Sequence, residues 1–318
     1  MEKLEKIIRV LLTKCIRLQK NECCLIVADE NRRQFAQMLH RVIHQFGAFP
    51  IYVEVVSPKR YGFEPPKAII EAMKHSDAVV IATEFPVNHT QARVTGNKSR
   101  ILSLSTTNVD TLQRMIHTDY DRVRERTQKL ADIFTIGKRI VLTTPAGTNL
   151  ITSISSVKGK INTGSACQRG QFSSLPGGEA YLPPVSGTAQ GKVVIDMSLD
   201  FFGKLKAPIT LTVKNGAVVK ISGDDEARQL RKLIKPFGQN ARKLVGIGVG
   251  TNDKAKPGLS VEEDKKVAGA VHITFGNNIV YDKSGKRPAW IDGVLRNATL
   301  SIDGMKIIEN GKMPIFTP

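Results

Sequence analysis

Aromatic residues are few, only 6% of the 318 residues and with a single tryptophan, Trp290. No aromatic-rich recognition motif accompanies the basic residues and no Lys/Arg block reaches five, so specific nucleic-acid binding is not expected. Cysteine is also scarce: four, two of them adjacent (Cys23, Cys24), which is not a disulfide framework in a chain of this length. No apolar run approaches the roughly 20 residues that span a bilayer, so no membrane partner is expected. The opening residues Met1-Glu2-Lys3-Leu4-Glu5-Lys6 mix acids and bases before a short apolar patch, unlike a secretory signal, and a reducing, cytoplasmic setting follows. Of six histidines, His40 and His44 stand four apart on a predicted helix. They lack the intervening Glu of a zinc-peptidase helix and read as structural or surface residues. There is no GxSxG elbow, and Cys167 has no histidine near it in sequence, so nucleophilic catalysis has no support.

What is present is a globular composition, 41% hydrophobic and 24% charged, with 47 basic against 29 acidic residues and a formal charge of +18. The excess is uneven. Residues 1–137 hold 21 basic and 15 acidic side chains; residues 138–318 hold 26 and 14. A basic second half suits small anionic molecules or peptides with free carboxylates.

The first half alternates strand and helix signals. Cys23–Ala28 is a short apolar run, and from Arg32 to Phe46 apolar residues recur at spacings of three and four until Gly47. Strands at 50–56, 78–82 and 100–104 alternate with a helix after Pro65-Pro66, and one or two helices cover 111–135. This pattern predicts an α/β domain with a parallel sheet over 1–137. Beyond Gly137 helical periodicity fades and short β-rich runs follow one another. Asn215-Gly216 marks a hairpin, and a helix is expected near Asp224–Ile234. The second domain, 138–318, is therefore predicted to be β-rich, a curved sheet or a barrel-like α+β unit.

Three residues in that half have ligand chemistry. Glu179 sits in the rigid turn Leu175-Pro176-Gly177-Gly178-Glu179, His272 in the apolar strand Gly269–Gly276, and Asp292 two residues after Trp290. Each also has a plain reading, as a loop acid, a core histidine and a turn acid. Gly246-Ile247-Gly248-Val249-Gly250 is GxGxG, not the dinucleotide-binding GxGxxG, and reads as glycines that let a strand bend or pass near a ligand.

Taken together, these blocks resemble the aminopeptidase T family of metallopeptidases and its relatives, which include iron-dependent dihydroxypyridine ring-cleaving dioxygenases. The matching stretches are Pro145–Leu150, Leu175–Pro183, Gly248–Asn252, Glu263–His272 and Asp292 to Asp303-Gly304. The resemblance implies a homodimer with a two-metal peptidase site in the second domain and Glu179, His272 and Asp292 among its ligands; Glu263 is a candidate general base. It also exposes departures. The family's Glu ahead of the glycine-rich stretch falls on Gly246, the His of its His-x-Asp pair falls on Trp290, and its Tyr falls on Ile279, with Tyr281 nearby. With those donors missing, the ones that remain suit one divalent ion (Zn, Co or Mn, or Fe(II) in an oxygenase) or none. Trp290 and Tyr281 are the substrate-binding candidates. The leading expectation is a metal-dependent hydrolase, a peptidase or amidase acting on a peptide or small molecule. The alternatives are a single-iron ring-cleaving dioxygenase and a binding protein that has lost its metal.

Overall fold

The structure is a computed structural model, and the described residues are 2–57, 64–84, 98–105, 107–276 and 290–316. They form two compact units. One comprises the chain up to Tyr120 together with Asn162–Gly177, and the other comprises Asp121–Ile161 and the residues from Gly178 onward. Among the described residues the division falls at Asp121, and the chain returns to the first unit at Asn162–Gly177.

The first unit is the expected α/β domain. Strands β1 (Cys23–Asp29), β2 (Phe49–Val55), β3 (Ala78–Ala82), β4 (Arg100–Ser103) and a later strand, Phe172–Ser174, lie in the order β2-β1-β3-β4 and then Phe172–Ser174. All four pairings are parallel. Helices α1 (Glu2–Val10), α2 (Arg33–Phe46), α3 (Lys67–His75) and α4 (Val109–Met115) accompany this sheet. Helix α2 buries Ala36, Leu39, Val42 and Ile43 and leaves His40 and His44 exposed. Gly47, at φ +93°, ends it by donating its N–H back to the last turn, a left-handed conformation that glycine adopts without a Cβ penalty.

Helix α5 (Tyr120–Ile136) belongs to the second unit because Leu130, Ala131 and Phe134 are packed in that unit's core. This placement moves the division upstream. The expected β-rich region is two seven-stranded antiparallel sheets. The first includes β5 (Arg139–Thr143), β6 (Asn149–Ser153) and the hairpin Ile209–Lys214/Ala217–Ser222. In that hairpin Asn215 and Gly216 both take positive φ, the backbone that a tight two-residue turn requires. The second sheet carries the site. Numbering on in chain order after β7 (Lys160–Asn162) and β8 (Phe172–Ser174), its central strands are β9 (Glu179–Leu182), and further along the chain Leu244–Gly250, Val271–Gly276 and Trp290–Leu295. They run in the order Trp290–Leu295, Val271–Gly276, Leu244–Gly250, β9, β7. One buried apolar cluster contains residues of both sheets, among them Ile140, Leu142, Leu150 and Ile195 from the first and Leu182, Ile247, Ile273 and Phe275 from the second. No helix among the described residues is long and apolar enough to cross a membrane.

Candidate functional site

Successive residues of a strand face opposite sides of its sheet, and residues paired across strands share a side. The register therefore sorts the second sheet into two faces. Ala180, Leu182, Ile247, Val249, Val271, Ile273, Phe275, Ile291 and Leu295 alternate onto one face and are all buried in the apolar core. The opposite face collects Glu179, Tyr181, Gly246, Gly248, Gly250, His272, Thr274, Trp290 and Asp292. Gly250 pairs with Glu179, Gly248 with both Tyr181 and His272, Gly246 with Thr274, and Thr274 in turn with Asp292. The three ligand candidates of the sequence are thus brought to one face.

The GxGxG run is the floor of that face. A Cβ on Gly248 would stand 2.3 Å from Cε1 of His272, so the imidazole lies over bare backbone. A Cβ on Gly246 would stand 2.7 Å from Thr274 Oγ1, and one on Gly250 2.2 Å from the carbonyl oxygen of Val267. The last approach lets the segment that follows helix α6 (Asp225–Ile234) and the short α7 (Val261–Asp264) cross the strand. It is pinned there by Asn252 N–H to the Lys266 carbonyl at 2.9 Å and Gly269 N–H to the Gly250 carbonyl at 3.0 Å.

That crossing delivers two lysines. Lys266, whose side chain has no exposure, is ion-paired with Glu179 Oε1, and its Nζ lies 3.3 Å from Glu262. Lys265 Nζ lies 2.7 Å from Asp292 Oδ2 and 2.9 Å from Glu262. Thr274 Oγ1 donates to the other oxygen of Asp292 at 2.5 Å, and Asp292 N–H donates to Asp200 Oδ2 at 2.8 Å. His272 Nε2 is 3.6 Å from Glu179 Oε2. Glu179 Oε2 and His272 Nδ1 are buried without a hydrogen-bond partner among the described residues.

These neighbours set the charges. Burial opposes ionisation of Asp292, but Lys265, His272 and the Lys265 and Thr274 hydrogen bonds overcome it and hold the carboxyl well below the ordinary range. Burial likewise opposes ionisation of Glu179, and Lys266 and Lys265 reverse the balance, so it too is lowered. Lys265 is penalised by burial, yet Asp292, Glu262, Glu179 and Asp200 keep it firmly an ammonium. Burial lowers the His272 pKa; Glu179 and Asp292 pull it back up, the two lysines add to the lowering, and the net shift favours the neutral imidazole. Asp200 goes the other way: burial and the charge of Asp292 push its carboxyl up to about 8.

The other candidates fall elsewhere. Glu263 is fully buried and its Oε1 accepts Lys256 N–H at 3.0 Å, in the loop leading to its own helix. Trp290 shares the site face and is half-buried. Tyr281, like Ile279, lies outside the described residues. Lys265, Lys266, Thr274 and Asp200 carry no motif that singles them out in the sequence. Their only signal there is the adjacent Lys265-Lys266 pair inside a block that already bears the resemblance.

A resident divalent ion does not fit these residues. Glu179 Oε2 and His272 Nε2 stand at a separation that two ligands of one ion can have, since metal–ligand bonds of about 2.0–2.2 Å put neighbouring ligands about 3 to 4 Å apart. Among the described residues a third donor is missing. Both oxygens of Asp292 are engaged, by an ammonium and a hydroxyl. Gly246 has no side chain, and the indole of Trp290 has no lone pair to give. Among the described residues no three His, Cys, Asp or Glu side chains are grouped to hold a metal.

Comparison with known proteins settles the family. Residues 3–314 match the model of the family described as NicX, 2,5-dihydroxypyridine 5,6-dioxygenase. The 2,5-dihydroxypyridine 5,6-dioxygenase of Pseudomonas putida is 24% identical over 255 residues, 76% of this chain and 71% of the relative. The structure of a 2,5-dihydroxypyridine dioxygenase from Pseudomonas putida KT2440 superposes with a TM-score of 0.83 at 19% identity, over 98% of this chain and 96% of that one. AmpT from Thermus thermophilus gives 0.67 at 14% identity, over 98% and 99%. The shared superfamily expected from the sequence holds, and so does the fold. The hydrolase expectation does not: the family model and the curated relative are both dioxygenases, which overturns peptidase, amidase and metallopeptidase as descriptions of this chain. The blocks that carry the resemblance lie on a scaffold that this chain has in common with both solved structures. Such blocks define the scaffold, and the chemistry rests on a few side chains within it.

Proposed function

The chain belongs to the 2,5-dihydroxypyridine 5,6-dioxygenase family, and from that premise we propose that it is an enzyme that opens a dihydroxylated nitrogen-heteroaromatic ring with dioxygen. The observation that carries this reading is the buried polar cluster on the glycine floor. Two ammonium groups from the crossing loop meet an imidazole and two carboxylates of one sheet face, and polar atoms are left unpaired. A hydroxypyridine suits that chemistry. Its ring hydroxyl gives up a proton to a neutral base, for which His272 has the right charge state. The resulting anionic ring is stabilised by Lys265 and Lys266 in a low-dielectric setting, where such charges act strongly. The electron-rich ring then supplies the electrons for oxygen. The O–O bond and one ring C–C bond break, both oxygen atoms enter the product, and no external reductant is consumed. Trp290, on the same face, offers a surface for stacking the ring.

The same reading keeps a small-molecule substrate and a homodimer as expectations, with the homodimer taken from the resemblance, and a cytoplasmic setting as an expectation from the cysteine usage. Oxygen uptake with 2,5-dihydroxypyridine, measured with and without added Fe(II), tests the activity. One dioxygen per ring opened, with both atoms of ¹⁸O₂ in the product, is the expected result. No uptake under either condition, for this or other dihydroxypyridines, would sink it.

A further inference from the structure

We propose that Lys265, with Lys266 beside it, is the resident cation of this site, a side-chain replacement for the metal, so that no divalent ion is held between Glu179, His272 and Asp292. The geometry carries the inference. Both acids that the resemblance offers as ligands are already neutralised by an ammonium, Glu179 by Lys266 and Asp292 by Lys265 at 2.7 Å. Each ammonium is itself buried: the Lys266 side chain is 0% exposed and that of Lys265 11%. A charged lysine is rarely so enclosed unless its partner is fixed, and the partners here are the ligand carboxylates themselves. A dication placed against either carboxylate would meet an ammonium at hydrogen-bond distance, a repulsion that is strong in low dielectric.

The departures from the family pattern agree with one another. Where a carboxylate ligand is expected, Gly246 lies beneath Thr274, whose hydroxyl is tied to Asp292. Where an imidazole is expected stands Trp290. Losing two donors while retaining two acids would leave buried negative charge without compensation, and such charge is costly. The lysines remove that cost. Two ammonium groups cannot polarise an oxygen as a Lewis acid does, but they do stabilise an ionised ring hydroxyl or another small anion.

The resident cation is independent of which substrate the site takes. Its test is an anaerobic titration of the purified full-length chain with Fe(II) and Co(II), read by calorimetry, by Co(II) visible absorption and by elemental analysis after desalting. The wild type should retain no stoichiometric metal and show no micromolar site. Lys265→Met combined with Trp290→His removes the ammonium and supplies an imidazole two residues before Asp292. That variant should bind about one equivalent roughly 100-fold more tightly than wild type, with a Kd near 1 μM or below. One equivalent bound by wild type and lost in His272→Ala overturns the inference. So does a folded double variant that binds no better than wild type. Should the double variant fail to fold, the wild-type titration decides alone. Oxygen uptake separates this question from the last one: absence of uptake in a chain that binds no metal rejects the dioxygenase reading and leaves the inference standing, whereas uptake that appears only on Fe(II) loading does the reverse.

Discussion

The two faces of the site-bearing sheet are made by the same strands and obey opposite rules. On one face Ile247, Val249, Ile273, Phe275 and Ile291 fill an apolar core with no polar partner to satisfy. On the other, glycines alternate with the ligand-type residues, and the volume above them is taken by an imidazole, a threonine and two lysines from a crossing loop. The comparison shows where the fold gains stability and where it must only avoid losing it. The apolar face contributes transfer free energy residue by residue. The polar face must keep its charges mutually compensated, because an unpaired charge there has no water to turn to.

The sharpest way to break the comparison is on the apolar face. Phe275→Ala should lower unfolding free energy by about 3–5 kcal/mol, as truncation of a buried aromatic residue generally does, measured by urea denaturation. A cost below ~1 kcal/mol would mean that this face is not core. On the polar face, Lys266→Met should cost almost as much, about 3 kcal/mol, because Glu179 is left charged and unpaired. Adding Glu179→Gln should recover most of the loss; a double variant as unstable as the sum of its singles would contradict the pairing.

Gly248→Ala should cost less stability, about 1–3 kcal/mol, since an added methyl meets the His272 ring and forces it aside. Activity should suffer disproportionately, because the imidazole is displaced from the cluster. A variant that keeps full ring-opening activity would remove His272 from the reaction.

The smallest effect is a change of slope. Asp200 has its pKa raised to about 8 in the folded chain, against 3.8 ordinarily. The folded state therefore holds a proton that the unfolded state releases as pH rises through 4. Its contribution to stability is full below about pH 4, declines between 4 and 8, and is flat above. Asp200→Asn should flatten the fall in melting temperature between pH 5 and pH 8.5; an unchanged slope would argue against a protonated Asp200.

Much of this architecture is legible in the amino-acid order alone. The alternation of strand and helix signals predicts the parallel α/β unit, and Asn215-Gly216 marks a hairpin of the β-rich one. Glu179, His272 and Asp292 stand out by residue type and setting, and they do meet on one face. What escapes a linear reading is charge in an unusual place. Lys265-Lys266 reads as solvated surface because lysines usually are. Only the register that brings Gly250 against the Val267 carbonyl shows that the loop crosses the sheet and carries both side chains inward. The domain division escapes for a related reason: helix α5 is charged along its exposed side, and its allegiance is decided by where Leu130 and Phe134 are buried.

The sequence by itself determined which residues can do chemistry, the order of the elements, and the alternation that separates an apolar face from a glycine-rich one. These are local properties, fixed by backbone geometry and side-chain type. The tertiary structure decided which charges meet. Ion pairing between Lys265 and Asp292, 27 residues apart, and between Lys266 and the still more distant Glu179, depends on strand pairing and a loop crossing that no local pattern encodes. The character of the site, a centre compensated by ammonium groups, arises from those encounters because electrostatic energy depends on distance and burial in space.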